Sequence, residues 1–276
     1  MAKIKDSSDQ DNPYSELVAE LKQRENLPPP PISKTFVAFI SLLAIIFIAL
    51  GFYQLQQHSQ ILAKDEYNLL QMQQSPIPIP PQNEWKIFDA NIYSFRPIII
   101  VGKYLAQKPV CVVTNLDNSK GSNSGKGCWV IAPFELESGG IILVNRGFIK
   151  QSDRFLINST SSPSGTFTLK GIARTSQQGG LFTKGPDIKN RVDYVLSVKR
   201  LAIFMVLNNK NIAPIYMDLA ANQETSFQGG ETKVKTLNRH FEYAMISFLI
   251  SLIIILLSFY WLLKKSKQKR KAGLKK

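Results

Sequence analysis

Two apolar runs near the ends of the chain constrain it more than any other feature. Phe36–Tyr53 is 18 residues with Ser41 as its one polar interruption, and Tyr243–Leu263 is 21 residues with three serines; neither run holds a charge. A bilayer core is crossed by roughly 20 apolar helical residues, each adding about 1.5 Å. Phe52, Tyr53, Tyr243, Tyr260 and Trp261 sit toward the run ends, where amphipathic rings meet the lipid headgroups. The chain therefore reads as two membrane helices, 35–56 and 241–263, flanking one long segment, 57–240. The 34-residue leader is acidic and no small-residue cleavage site follows the first run, which argues against a signal peptide. The same acidity argues against a mitochondrial transit peptide and in favour of a bacterial inner membrane.

Charge sets the expected orientation. The 276 residues carry 34 bases and 20 acids, a formal +14. Taken whole, that excess would suggest a polyanionic partner. Its distribution says otherwise: residues 264–276, KKSKQKRKAGLKK, carry eight bases and no acid, whereas residues 1–34 carry five bases and six acids. Bases packed against a span stay on the cytoplasmic side, and long loops translocate whatever their charge. Both termini are thus expected in the cytoplasm and 57–240 in the periplasm. The basic tail, 264–276, reads as a topology anchor touching the anionic lipid surface, not as a nucleic-acid arm.

The expected fold class is membrane α+β: two transmembrane helices flanking one β-rich periplasmic domain. Residues 1–34 read as a disordered cytoplasmic tail, with a short helix over Tyr14–Gln23 and a stiff Pro28–Pro31 spacer. Leu55, Leu62, Leu69 and Met72 continue the first helix at helical spacing until SPIPIPP, 75–81, stops it. Runs rich in β-branched and aromatic residues predict strands over 96–105, 109–116, 127–136, 139–149, 165–174 and 212–220. Residues 197–208 read as an amphipathic helix, and 225–236 as a loop. GSNSGKG, 121–127, has neither the spacing nor the closing Ser or Thr of a phosphate loop and reads as a hairpin connection.

Candidate chemistry is narrow, because the chain has two histidines and two cysteines. No zinc signature, C-x-x-C or G-x-S-x-G occurs, so a hydrolase lacks a nucleophile–base pair and no enzymatic role is expected. Cys111 and Cys128 lie in adjacent predicted strands; a hairpin centred on 119–120 sets them opposite each other, as a disulfide or as two buried thiols. His58 lies five residues after the first run, at Tyr53, and His240 three residues before the second, at Tyr243. Such histidines are either ordinary interfacial residues or axial ligands to a haem lying partly in lipid, with Arg239 facing its propionates. Arg146 ends a strongly β run, either as a surface guanidinium holding a buried carboxylate or as a docking contact.

Several motifs resemble one known family. LGFYQLQQ (50–57) is similar to LG-x-WQL-x-R. RPIIIVGKYL (96–105) resembles a first strand ending in V-x-G. GCWVIAPFELESGGIILVNRGFIK (127–150) resembles a segment ending in LVNRGW. GIARTSQQGGLFTKGPD (171–187) is similar to a G-x-x-R region, and LNRHFEYAMISF (237–248) to NNH-L-x-YA-x-x-W. In this order between two spans, they resemble the Surfeit locus protein 1 family of assembly factors for haem–copper terminal oxidases, over nearly the whole chain after residue 36. Tyr53, Gln57, Phe148, Ser247 and Phe248 depart from the family pattern. The resemblance implies a non-enzymatic factor that binds haem a through His240, with Asn238, Arg239 and Tyr243 around it. It would work with cytochrome c oxidase subunit I and the haem a synthesis enzymes. Asn145, Arg146 and Gly147 become candidate partner contacts, and His58, with no family counterpart, a candidate second ligand. The competing expectation is a scaffold that stabilises subunit I without binding haem. A receptor would need a cytoplasmic output module that these short tails do not supply.

Overall fold

The computed structural model describes residues 33–159, 162–180, 182–207, 211–223, 226–234 and 236–273, together with Leu17, Glu20 and Leu21. Most of the leader, including nearly all of the expected Tyr14–Gln23 helix and the Pro28–Pro31 spacer, lies outside the described residues. The chain divides into two compact units, Met1–Gln57 with Arg239–Lys276, and His58–Asn238.

The first unit is helical. Helix α1 spans Lys34–Met72, its last turns belonging to the second unit, and the closing helix of the chain spans His240–Gly273. Both are long and apolar enough to cross a membrane. Their contact uses small residues, the usual way for backbones to approach in lipid. Ser251 donates its hydroxyl to the Ala44 carbonyl at 3.1 Å, and Ala44 and Ala244 are buried. A Cβ placed on Gly51 would meet the Phe248 ring at 2.4 Å, and Phe52 and Phe248 stack edge-on with centroids 5.4 Å apart. Moving from Ala44 to Gly51 along one helix matches moving from Ser251 to Phe248 along the other, so the pair is antiparallel.

The second unit is a β-barrel with extensions. Its strands are β1 (Ile77–Pro78), β2 (Pro97–Tyr104), β3 (Val110–Leu116), β4 (Gly125–Leu136), β5 (Ile141–Lys150), β6 (Phe167–Thr175), β7 (Val192–Asp193) and β8 (Ile212–Leu219). The order β2-β6-β8-β5-β4 closes on itself through a β2–β4 pairing of three residue pairs, Gly102–Leu136, Lys103–Glu135 and Tyr104–Phe134. The other half of the same β4 edge, from Gly125 to Ile131, pairs with β3. All barrel pairings are antiparallel except β5–β8.

Alternation decides what each strand buries. Ile142 and Val144 of β5 point into the barrel with Ile98, Ile100, Phe134 and Met217. Ile141 and Leu143 point outward beneath helix α3, Val198–Phe204, with Leu201 and Tyr216. The short helix α2 is Leu156–Ser159, which makes the closing helix α4. Because β5 is covered on both faces, its run reads as unbroken hydrophobicity instead of alternation. Each of the six predicted strands is present, with ends shifted by up to two residues.

Cys111 and Cys128 are joined by a disulfide, with Cα atoms 5.4 Å apart. The hairpin register differs from expectation: Cys111 faces Val130 and Cys128 faces Val113, so the bridge runs diagonally between β3 and β4.

Candidate functional site

Helix α4 starts at His240, and Tyr243 N–H closes its first turn on the Arg239 carbonyl at 3.2 Å. Glu242 in that turn suits the positive end of the helix dipole. The antiparallel packing of α1 and α4 brings Gln54 to the same level. Gln54 Oε1 lies 2.6 Å from His240 Nδ1. An amide oxygen only accepts, so with this partner Nδ1 carries the hydrogen, and in the neutral ring Nε2 is the nitrogen left to coordinate. Histidines that ligate metals are held in this way by a partner on the other nitrogen. The Tyr243 ring stands edge-on to the imidazole with centroids 6.4 Å apart. Phe52, Tyr53, Phe241 and Tyr243 are exposed, and Arg239 is exposed beside them in sequence. Among the described residues no group of three His, Cys, Asp or Glu side chains is placed to hold a metal ion. A metal held here would therefore bring most of its ligands with it, as a porphyrin iron does.

His58 and Asn238 belong to the other unit. Asn238 donates its amide to the His58 carbonyl at 3.2 Å, which ties the end of the β-rich segment to α1. Asn238 is thus a structural clamp in the described contacts.

Within the barrel, Arg146 is not the surface guanidinium expected. Its side chain is fully buried, with the guanidinium carbon 4.8 Å from the Phe227 ring centroid and 5.2 Å from that of Tyr104. Burial removes it as a direct docking contact and makes it a core cation between two rings. Gly147 serves geometry. It sits at φ +136° in an irregularity of the β4–β5 ladder, and a Cβ there would strike the Gln228 backbone at 2.5 Å. Asn145 is also buried, and its amide donates to Asp218 Oδ1 at 2.8 Å while its oxygen accepts from Gly147 N–H at 3.2 Å.

Asp218 on β8 gathers this network. Its second oxygen accepts from Thr232 Oγ1 at 2.9 Å, and Arg174 lies close enough to lower its pKa. Burial nevertheless wins and holds the Asp218 carboxyl above its ordinary range. The folded group thus keeps its proton more tightly than the unfolded chain does. Its ionisation at neutral pH costs stability, and that cost is relieved as pH falls through the folded pKa. Wild type is expected to gain thermal stability relative to Asp218→Asn as pH is lowered from neutral toward the ordinary carboxyl range; a difference in melting midpoint that does not change with pH would contradict this. The same burial raises the Tyr216 hydroxyl, so that phenol stays neutral.

The sequence model of the SURF1 family matches residues 41–252, from within the first apolar run to within the last. The chain belongs to the SURF1 family. It is 25% identical to a SURF1-like protein of Rickettsia felis over 76% of this chain and 90% of that one. A SURF1-like protein of Rickettsia conorii is 25% identical over 80% and 88%. One from Drosophila melanogaster is 24% identical over 77% and 73%. SURF1 proteins are known in general as oxidase assembly factors. Two apolar helices flanking a closed β-barrel fit a membrane protein of this family.

The SURF1-like segments meet in space where the sequence keeps them apart. Asn145 on β5 and the Gly171–Arg174 stretch of β6 flank Asp218 on β8 from either side. A Cβ on Gly171 would meet the Asp218 carbonyl oxygen at 2.3 Å. Asp218 and Gln54 were given no role from sequence. The signal for Asp218 was an acid inside an apolar strand; for Gln54 it was retention of the motif's Gln between departures at Tyr53 and Gln57.

Proposed function

We propose that this SURF1 protein is a non-enzymatic assembly factor that holds haem a through His240 and hands it to subunit I of cytochrome c oxidase. The observation that carries the reading is the 2.6 Å contact of Gln54 with His240 at the head of an apolar helix. Haem a would supply an iron centre and an apolar macrocycle. His240 would supply a coordinating nitrogen, with its ring held by Gln54. Tyr243 and the exposed aromatics would offer apolar surface, and Arg239 would face propionate oxygens. The basic tail supports a cytoplasmic C-terminus, and two spans then return the β-rich unit to the periplasm of a bacterial inner membrane. The haem a synthesis enzymes are the expected donors.

Purification after co-expression with those enzymes tests the reading. Wild type is expected to carry haem a, seen in its absorption spectrum, and His240→Ala to lose most of it. Wild type without haem would overturn the reading and leave a subunit I scaffold, whose deletion would spare oxidase haem content. Equal haem in His240→Ala would overturn the assignment of the ligand.

A further inference from the structure

The β-rich unit holds a cavity of about 210 Å³ where the 127–150 and 171–187 segments meet β8. Part of its wall is apolar, from Leu116, Trp129, Leu196 and Tyr216, and part is polar, from Asn145, Arg174, Asp218, Glu231, Thr232 and Lys233. The 228–233 segment forming one side is rigidly built. The Glu231 carboxylate, 5% exposed, accepts from Lys120 N–H at 2.9 Å, Gly121 N–H at 2.8 Å and Gln228 Nε2 at 2.8 Å. Gln228 exchanges backbone hydrogen bonds with Phe148 at 2.8 and 3.0 Å. Burying a carboxylate is costly unless it is fully bonded. Here that investment holds a loop around a space instead of filling the space with side chains.

The acceptors and donors in the wall are unequal. Both Asp218 oxygens are taken, by Asn145 and Thr232, and Glu231 is met by three N–H groups. Arg174 has five N–H donors. Its described contacts are a hydrogen bond of 3.5 Å to the Lys233 carbonyl and the nearby charge of Asp218. Its guanidinium carbon sits 4.0 Å from the Phe95 ring centroid, which fixes the fork in place. Lys233 adds a second positive charge to the same wall. Arg174 has more N–H donors than its described partners use, and a guest that brings anionic oxygens suits those donors. The apolar share of the wall suits a short hydrocarbon body. The volume is below the roughly 300 Å³ of drug-sized pockets, which excludes a macrocycle.

We propose that this cavity binds a carboxylate carried on a short apolar body, with Arg174 as its counter-ion and Trp129 and Leu196 against the body. The carboxylate could come from a free small acid or from the C-terminus of a peptide, and one experiment separates the two. The full chain in detergent is titrated with phenylacetate, phenylacetamide, and a tetrapeptide ending in Phe as free acid or amide, read by tryptophan fluorescence.

A saturable change is expected with at least one acid and neither amide, and its loss in Trp129→Phe places it in the cavity. The free acid responding alone identifies a small metabolite site; the peptide acid responding alone identifies a C-terminus site. Arg174→Gln is expected to weaken binding about tenfold or more. Lys233→Gln, on the exposed side, is expected to fold normally and weaken it about twofold. Amides as effective as acids, no saturation with either acid, or unchanged affinity in both variants would overturn the proposal. The cavity lies wholly in the β-rich unit, so this outcome is independent of the haem experiment.

Discussion

Gly102→Ala is expected to open the barrel. A Cβ at this position would lie 1.9 Å from the Glu135 carbonyl oxygen and 2.9 Å from the Phe134 ring. The first obstacle is backbone, so no rotamer change can relieve it, and the strands must separate. The β2–β4 seam has three residue pairs, and its ends are marked by Glu137 N–H to the Val101 carbonyl at 2.9 Å and Leu105 N–H to the Pro133 carbonyl at 3.0 Å. The Lys103–Glu135 ion pair across the seam is exposed and adds little. Overpacking usually costs about 1–3 kcal/mol, and a backbone clash at the closing seam belongs at or above the top of that range. The measurement is thermal unfolding together with hydrogen exchange at the Leu105 and Glu137 amides. Both protections are expected to fall more than those of the β5–β8 ladder. An unchanged midpoint with unchanged seam protection would show that closure does not depend on Gly102.

How much of this was legible follows from where the information lies. Strands such as Pro97–Tyr104 announce themselves through β-branched residues, because a half-buried pleated surface selects those side chains locally. The closing pairing does not, since it depends on one edge of β4 serving β3 along its first half and β2 at its end. The parallel β5–β8 contact joins strands about 70 residues apart and leaves no local mark. Ile77–Pro78 reads as a helix stop, yet it also adds to the β2 edge, where a proline is tolerated. Arg146 was misplaced because charge ordinarily means surface. Inside, its guanidinium lies against two rings, Tyr104 and Phe227, from distant segments. The observed hairpin of β3 and β4 pairs two residues away from the expected register, which makes the relation of Cys111 and Cys128 diagonal. Of the site, His240 was visible as a histidine at a membrane edge in a familiar motif, while its partner Gln54 lies 186 residues away.

That partner carries the second large effect. Gln54→Leu keeps the approximate volume of the side chain but removes the acceptor from His240 Nδ1–H, so the imidazole loses the contact that sets its tautomer and plane. Removing such a supporting hydrogen bond typically costs about 10- to 100-fold in metal affinity. Haem retained by Gln54→Leu after purification is accordingly expected to fall by about tenfold or more. Gln54→Glu, which still offers an oxygen to Nδ1–H, is expected to keep most of the haem and to move the reduction potential, because a charged acceptor makes the imidazole a stronger donor. The prediction rests on the haem reading, and the two fail differently. If His240→Ala loses haem but Gln54→Leu binds it like wild type, His240 is a ligand that needs no positioning. If both variants keep haem, the ligand lies elsewhere. A structural role for Gln54 predicts a third pattern, in which Gln54→Leu weakens the α1–α4 pairing in detergent but leaves the spectrum and potential of the bound haem unchanged. A hydrogen bond between membrane helices is worth about 0.6–2 kcal/mol, enough for a tenfold loss of haem through weaker pairing, so the altered spectrum and potential are the readouts that separate the two roles.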